Sequence, residues 1–156
     1  MQRIKRKCIV WGVVLLILFC SCSAANSPIQ DGYYSAEAKN FDADGWKDYV
    51  TICVSSGKII LVEFNAFNSS GFMKSWDMNY MREMNAANGT YPYAYTRYYG
   101  KKLLDTQKPE KVDVVAGATI SYNKFVKLAD AALENARQGK SETYLVDMSG
   151  NPDWKQ

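Results

Sequence analysis

The chain has 156 residues, no histidine and four cysteines, with 19 Lys and Arg against 16 Asp and Glu. Without histidine there is no Ser-His-Asp hydrolysis, no His acid–base catalysis and no ordinary zinc site. Four of the basic residues and none of the acids lie in the first 21 positions, so the rest carries 15 basic and 16 acidic side chains and offers nucleic acid no basic surface.

In chain order, the first feature is an export signal. Arg3, Lys5, Arg6 and Lys7 precede an apolar run from Ile9 to Phe19 that is too short for a comfortable membrane span, and small polar residues follow. Cys22, directly after Ser21, fits a lipidated cysteine better than Cys20, which would put Phe19 at the cut. An uncleaved N-terminal anchor is the other reading. Both tether the body to a membrane outside the cytoplasm, on the periplasmic side or at the cell surface. The expected organisation is a signal peptide over 1–21, a tether over 22–30 and one domain over 31–156. Only Cys53 then remains inside the domain, so no internal disulfide is possible and no haem or iron–sulfur ligand set exists.

The segment 31–40 predicts a strand and 41–46 (FDADGW) a turn. Residues 47–68 predict a β-hairpin, with Val50, Ile52 and Val54 alternating with Tyr49, Thr51 and Cys53, and SSGK as the turn. Asp42, Asp44 and Asp48 lack the glutamate of a calcium loop and read as a solvated turn. Residues 75–88 predict a helix ending at Asn88-Gly89, with Met78, Met81 and Met84 as a core stripe rather than a copper site. A tyrosine-rich, partly helical stretch runs to Pro109, and none of its tyrosines stands out as a ligand residue. Trp46 suits either an exposed aromatic near a ligand or a core anchor. After the short apolar run 112–118, residues 121–140 predict the clearest helix, with Phe125, Leu128, Ala129, Ala132, Leu133 and Ala136 on one face and Gly139 as the C-cap. A short strand is expected at 143–147. The fold class is α+β: an antiparallel sheet of N-terminal hairpins packed by C-terminal helices. Metal ligands are not expected.

The functional signal lies in DVVAGATIS (113–121). A helix start offers unpaired N–H groups and the positive end of the helix dipole, a natural phosphate site, and small residues before it admit a ligand to the backbone. This stretch resembles the flavin-attachment motif of the FMN-binding domain family, in which an Asp precedes Ser or Thr, Gly-Ala-Thr and a later hydroxyl. Residues 31–68 and 108–136 resemble the family's two halves. The family includes flavoprotein subunits of the Rnf complex and of the sodium-pumping NADH:quinone reductase, and extracytoplasmic flavoprotein lipoproteins, the group most similar here. The resemblance implies an FMN-binding-domain-like fold and FMN linked through its phosphate to Thr119 by a flavin transferase. It aligns Gly117, Ala118, Asp113 and Ser121 with the rest of the motif. Ala116 departs from it, replacing the Ser or Thr, so covalent FMN, noncovalent FMN and no FMN all stay open. The implied function is electron transfer with membrane or extracytoplasmic redox partners. A flavin-free binding or structural lipoprotein is the alternative. A stand-alone enzyme is disfavoured by the missing histidines.

Overall fold

Alternation of inward and outward side chains builds the sheet. The structure, a computed structural model, describes residues 28–149. The expected export signal, Cys22, the first part of the expected tether and residues 150–156 lie outside the described residues. β1 (Gly32–Ala38), β2 (Lys47–Ser55) and β3 (Lys58–Phe67) form an antiparallel meander. Tyr34, Ala36, Val50, Ile52, Ile59 and Phe64 turn to the buried face. The hairpin turn lies where SSGK predicts it. Ser56 and Gly57 both take positive φ, 52° and 68°, the twist that two-residue hairpins favour. The Asp31 carboxylate accepts from the Ser56 and Gly57 N–H groups at 2.9 and 3.1 Å, which holds its carboxyl below the usual range. Strict alternation fails in β3 because the register shifts at Cys53/Val54. Val54 pairs with Ile59 and Cys53 with Leu61, leaving Ile60 extra and 57 % exposed.

The short strand expected near 145 is β4 (Tyr144–Val146). It pairs parallel to β1, giving the order β3-β2-β1-β4. The sheet is therefore mixed, because the chain returns to β1 through the helical crossover. Three α-helices are described: α1 (Met78–Asn88), α2 (Pro92–Thr106) and α3 (Thr119–Gln138). The tyrosine-rich stretch is helical from Pro92 to Thr106, and Pro92 occupies the first turn, where its missing N–H costs nothing. Tyr95, Tyr99 and Leu103, four apart, are buried in the core. α3 buries the face the sequence predicts and starts at Thr119, ahead of Ser121.

α1 departs from expectation. Its start is set by Asp77, whose carboxylate accepts from the Asn79 and Tyr80 N–H groups, and a 3-10 turn (Lys74–Trp76) precedes it. No residue of α1 is buried and Met78 is 65 % exposed, so the methionines are not a core stripe; Met84 packs partly against the core, whose inner face α2 and α3 already cover. Trp46 is buried, a core anchor. Cys53 is buried as well.

A polar clamp ties α3 to the sheet. Lys124 Nζ lies 2.9 Å from Asp42 Oδ2 and 2.7 Å from Asp48 Oδ2. Asp42 also organises its own turn by accepting from the Trp46 and Asp44 N–H groups. Two of the acids read as a solvated turn are thus partners of a buried lysine. Burial disfavours the charged lysine, but Asp48 and Asp42 outweigh it and hold its pKa above the ordinary value. Burial likewise works against the Asp42 carboxylate, but Lys124 and the Trp46 N–H hold its carboxyl below the usual range.

Lys124→Met leaves Asp48 buried without its partner and is expected to lower the unfolding free energy in urea by about 3 kcal/mol. The depressed Asp42 contributes stability that is present above the ordinary carboxylate range and lost as pH falls through its folded pKa. The raised Lys124 contributes stability that is present below the ordinary lysine pKa and lost as pH rises through its folded value. The melting temperature of the wild type should therefore fall below roughly pH 4 and above roughly pH 10, and both limbs should shrink in Lys124→Met.

Candidate functional site

The approach to α3 is built around one glycine and one tyrosine. After a 3-10 turn (Pro109–Lys111), Val112 is buried while Asp113 and Val114 face solvent. A turn then closes from Val115 to Ala118, whose N–H donates to the Val115 carbonyl at 3.0 Å. Gly117 occupies its third position with φ +79°, as a type II turn requires. A Cβ there would stand 2.2 Å from the Asn88 carbonyl oxygen, at the end of α1, so no other residue fits without displacing backbone. Ala116, second in the turn, is exposed.

Ala118 is buried at the N-cap and has no side chain that caps; its carbonyl accepts the Tyr122 N–H at 2.9 Å. The N–H groups of Thr119, Ile120 and Ser121 therefore lie at the uncapped positive end of a 20-residue helix. Thr119 is exposed at the first helical position, in the same turn as these donors. Ser121 is half-buried and set against the Tyr95 hydroxyl, whose pKa burial raises and Ser121 partly lowers. Of the expected residues, Gly117, Ala118 and Thr119 form one continuous corner, Asp113 lies exposed on its approach, and Ser121 turns toward α2.

Sequence reasoning missed Tyr99, which locates this corner. It is fully buried; its hydroxyl accepts from the Val115 N–H and donates to the Ala118 carbonyl, both at 3.2 Å. Its ring stacks on Phe125 at 5.4 Å and meets Phe64, Tyr95, Tyr98 and Tyr122. Burial pushes the Tyr99 pKa up, against the Val115 N–H. The available signal was the four-residue spacing of Tyr95, Tyr99 and Leu103, visible only once that stretch is read as a helix. Lys74 was missed too. It is buried, its ammonium 4.5 Å from the Tyr80 ring centroid and 5.6 Å from that of Trp46, and no carboxylate pairs with it among the described residues.

An exposed threonine, uncapped helix N–H groups and a turn with no room for a side chain meet at one corner of an α+β domain, a chemistry that suits an anionic group such as a phosphate. The sequence profile of the FMN-binding domain matches residues 45–134. The chain is 36 % identical over 135 residues to the "15 kDa lipoprotein" of Treponema pallidum (strain Nichols), covering 86 % of this chain and 94 % of the relative. It superimposes on the crystal structure of the CPE2226 protein from Clostridium perfringens with a TM-score of 0.75 and 38 % identity, over 78 % of this chain and 99 % of that one. The chain belongs to the FMN-binding domain family.

Tyr99→Phe should cost about 1–3 kcal/mol, since it strips partners from buried backbone groups, and should speed hydrogen exchange at the Val115 amide while the amides of β2 keep their protection. Gly117→Ala should cost more than the 1–2 kcal/mol of a left-handed non-glycine residue, because the Asn88 carbonyl must also move; the loss should appear in the denaturant midpoint.

Proposed function

We propose that the chain is a membrane-anchored, extracytoplasmic flavoprotein that carries electrons, with FMN esterified through its phosphate to Thr119. The observation that carries this reading is the exposed Thr119 hydroxyl at the uncapped start of α3. Thr119 would supply the ester oxygen, and the N–H groups of the first turn would hold the phosphate oxygens. Gly117 would keep the turn clear of side chains, and buried Ala118 would fix the height of the helix start. Asp113 and Ser121 would complete the motif, Asp113 in reach of a flavin transferase and Ser121 through its contact with Tyr95. Bound FMN supplies the electron chemistry; the protein attaches and orients it. Anchoring through a lipidated Cys22 is supported by the N-terminal sequence and by the relative described as a lipoprotein. Among the described residues no helix is long and apolar enough to cross a membrane. Redox partners would be met at the membrane or in the extracytoplasmic space.

A second reading, a flavin-free binding or structural lipoprotein, is favoured by Ala116 alone, which offers no hydroxyl beside the attachment corner.

The test is flavin fluorescence of the band after denaturing electrophoresis, with the chain from Ser23 onward exported alongside a flavin transferase. The expected result is a fluorescent wild-type band that disappears in Thr119→Val and brightens in Ala116→Ser. A dark wild-type band would overturn covalent attachment, and native absorbance would then separate noncovalent FMN from the flavin-free reading.

A further inference from the structure

Between β3, the 3-10 turn at Lys74–Trp76 and α2 lies a cleft of about 360 Å³, within the size range of small-molecule sites. None of Asp113, Gly117, Ala118, Thr119 and Ser121 lines it. Phe64 and Leu104 give it an apolar wall. Trp76 and Tyr93 stand on it 64 % and 47 % exposed, so two large aromatic faces are open at its rim. The Arg97 guanidinium lies 4.5 Å over the Tyr93 ring. No carboxylate pairs with Arg97 among the described residues, whereas Lys101, which also borders the cleft, is held by Asp105 at 2.7 Å. Glu63 borders it too, and burial together with the Glu63 charge pushes the Tyr49 hydroxyl up to about 12. Thr96 lines the cleft and is only 7 % exposed, and its hydroxyl has no hydrogen-bond partner among the described residues. Thr106, on the same helix, bonds back to the Lys102 carbonyl instead.

From these features we infer that the cleft is a binding site for a planar aromatic anion, separate from the phosphate-anchoring corner of α3. The ring packs against Trp76 and Tyr93, which present flat apolar faces with little conformational entropy to lose. The acidic group takes the Arg97 guanidinium, which its stacking on Tyr93 holds in place and whose planar fork matches a carboxylate, sulfonate or phosphate. A polar edge of the ring satisfies Thr96. This inference does not depend on flavin attachment.

The experiment is a calorimetric titration of the Thr119→Val variant, which cannot carry flavin at that residue, with anthraquinone-2-sulfonate. The expected result is one site, weakened about tenfold in Arg97→Gln by loss of a charge-assisted hydrogen bond and several-fold in Trp76→Ala. Uncharged 2-(hydroxymethyl)anthraquinone should bind about as weakly as the sulfonate binds Arg97→Gln. Both substituted side chains are exposed, so the melting temperatures should stay at the parent value and a loss of binding is not a loss of fold. No binding, or binding that neither substitution weakens, overturns the inference. Free FMN added in competition distinguishes the remaining source. If it displaces the sulfonate in an Arg97-dependent way, the cleft is the seat of a flavin ring and not a separate site, which also overturns it; if it does not, the separate site stands.

Discussion

The hydroxyl of Tyr99 bridges the Val115 N–H and the Ala118 carbonyl, and the position of the candidate site follows from that bridge. A turn ahead of a helix is ordinarily a surface feature, free to adjust. Here its two ends are bonded to a side chain whose ring is fully buried and stacked on Phe125, a residue of the same helix the turn introduces. The loop is thereby referred to the core, and an exposed threonine is held at a defined height above it. Displacement would strand buried polar groups in a low-dielectric interior, where an unmade hydrogen bond costs far more than a made one gains.

A second anchor acts on α3 one turn further along, in different chemistry. Lys124 reaches between Asp42 and Asp48, so the helix is joined to the entry of β2 by charge as well as by apolar packing. Such a clamp contributes little net stability compared with an apolar contact of the same volume, but it tolerates only one arrangement, because a shift leaves a buried charge alone. With Tyr99 fixing the turn and Lys124 fixing the first part of the helix, the uncapped N–H groups present a fixed geometry to solvent. A corner held this way is preorganised for a ligand, since ordering left to the binding step weakens affinity.

α1 plays the opposite part. It buries no residue, yet its last carbonyl group occupies the space a Cβ of residue 117 would need. The requirement for glycine at this position therefore comes from a helix far away in sequence and not only from the turn's own backbone angle. Beneath the start of α1, Lys74 rests against Tyr80 and Trp46 without a carboxylate partner among the described residues.

Much of this was legible in the residues. The period-2 hairpin, the SSGK turn, the apolar stripe of α3 and the corner DVVAGATIS follow from local rules, because alternation, glycine conformation and helical spacing act over a few residues. The parallel pairing of β4, the extra residue at Ile60 and the exposure of the α1 methionines did not, because each depends on which surface another segment has already covered. Tyr99 looked like its neighbours, and Asp42 and Asp48 looked like a wet turn. A side chain's composition says what it can bond, but its partner is chosen by the packing of distant segments. Local pattern alone sets the first three strands, the hairpin turn, the apolar stripe of α3 and the chemistry available at its start. That Tyr99 holds that corner, that Lys124 clamps the helix and that Asn88 excludes every residue but glycine follows from the fold, since long-range burial and electrostatics select those partners and no local pattern encodes them.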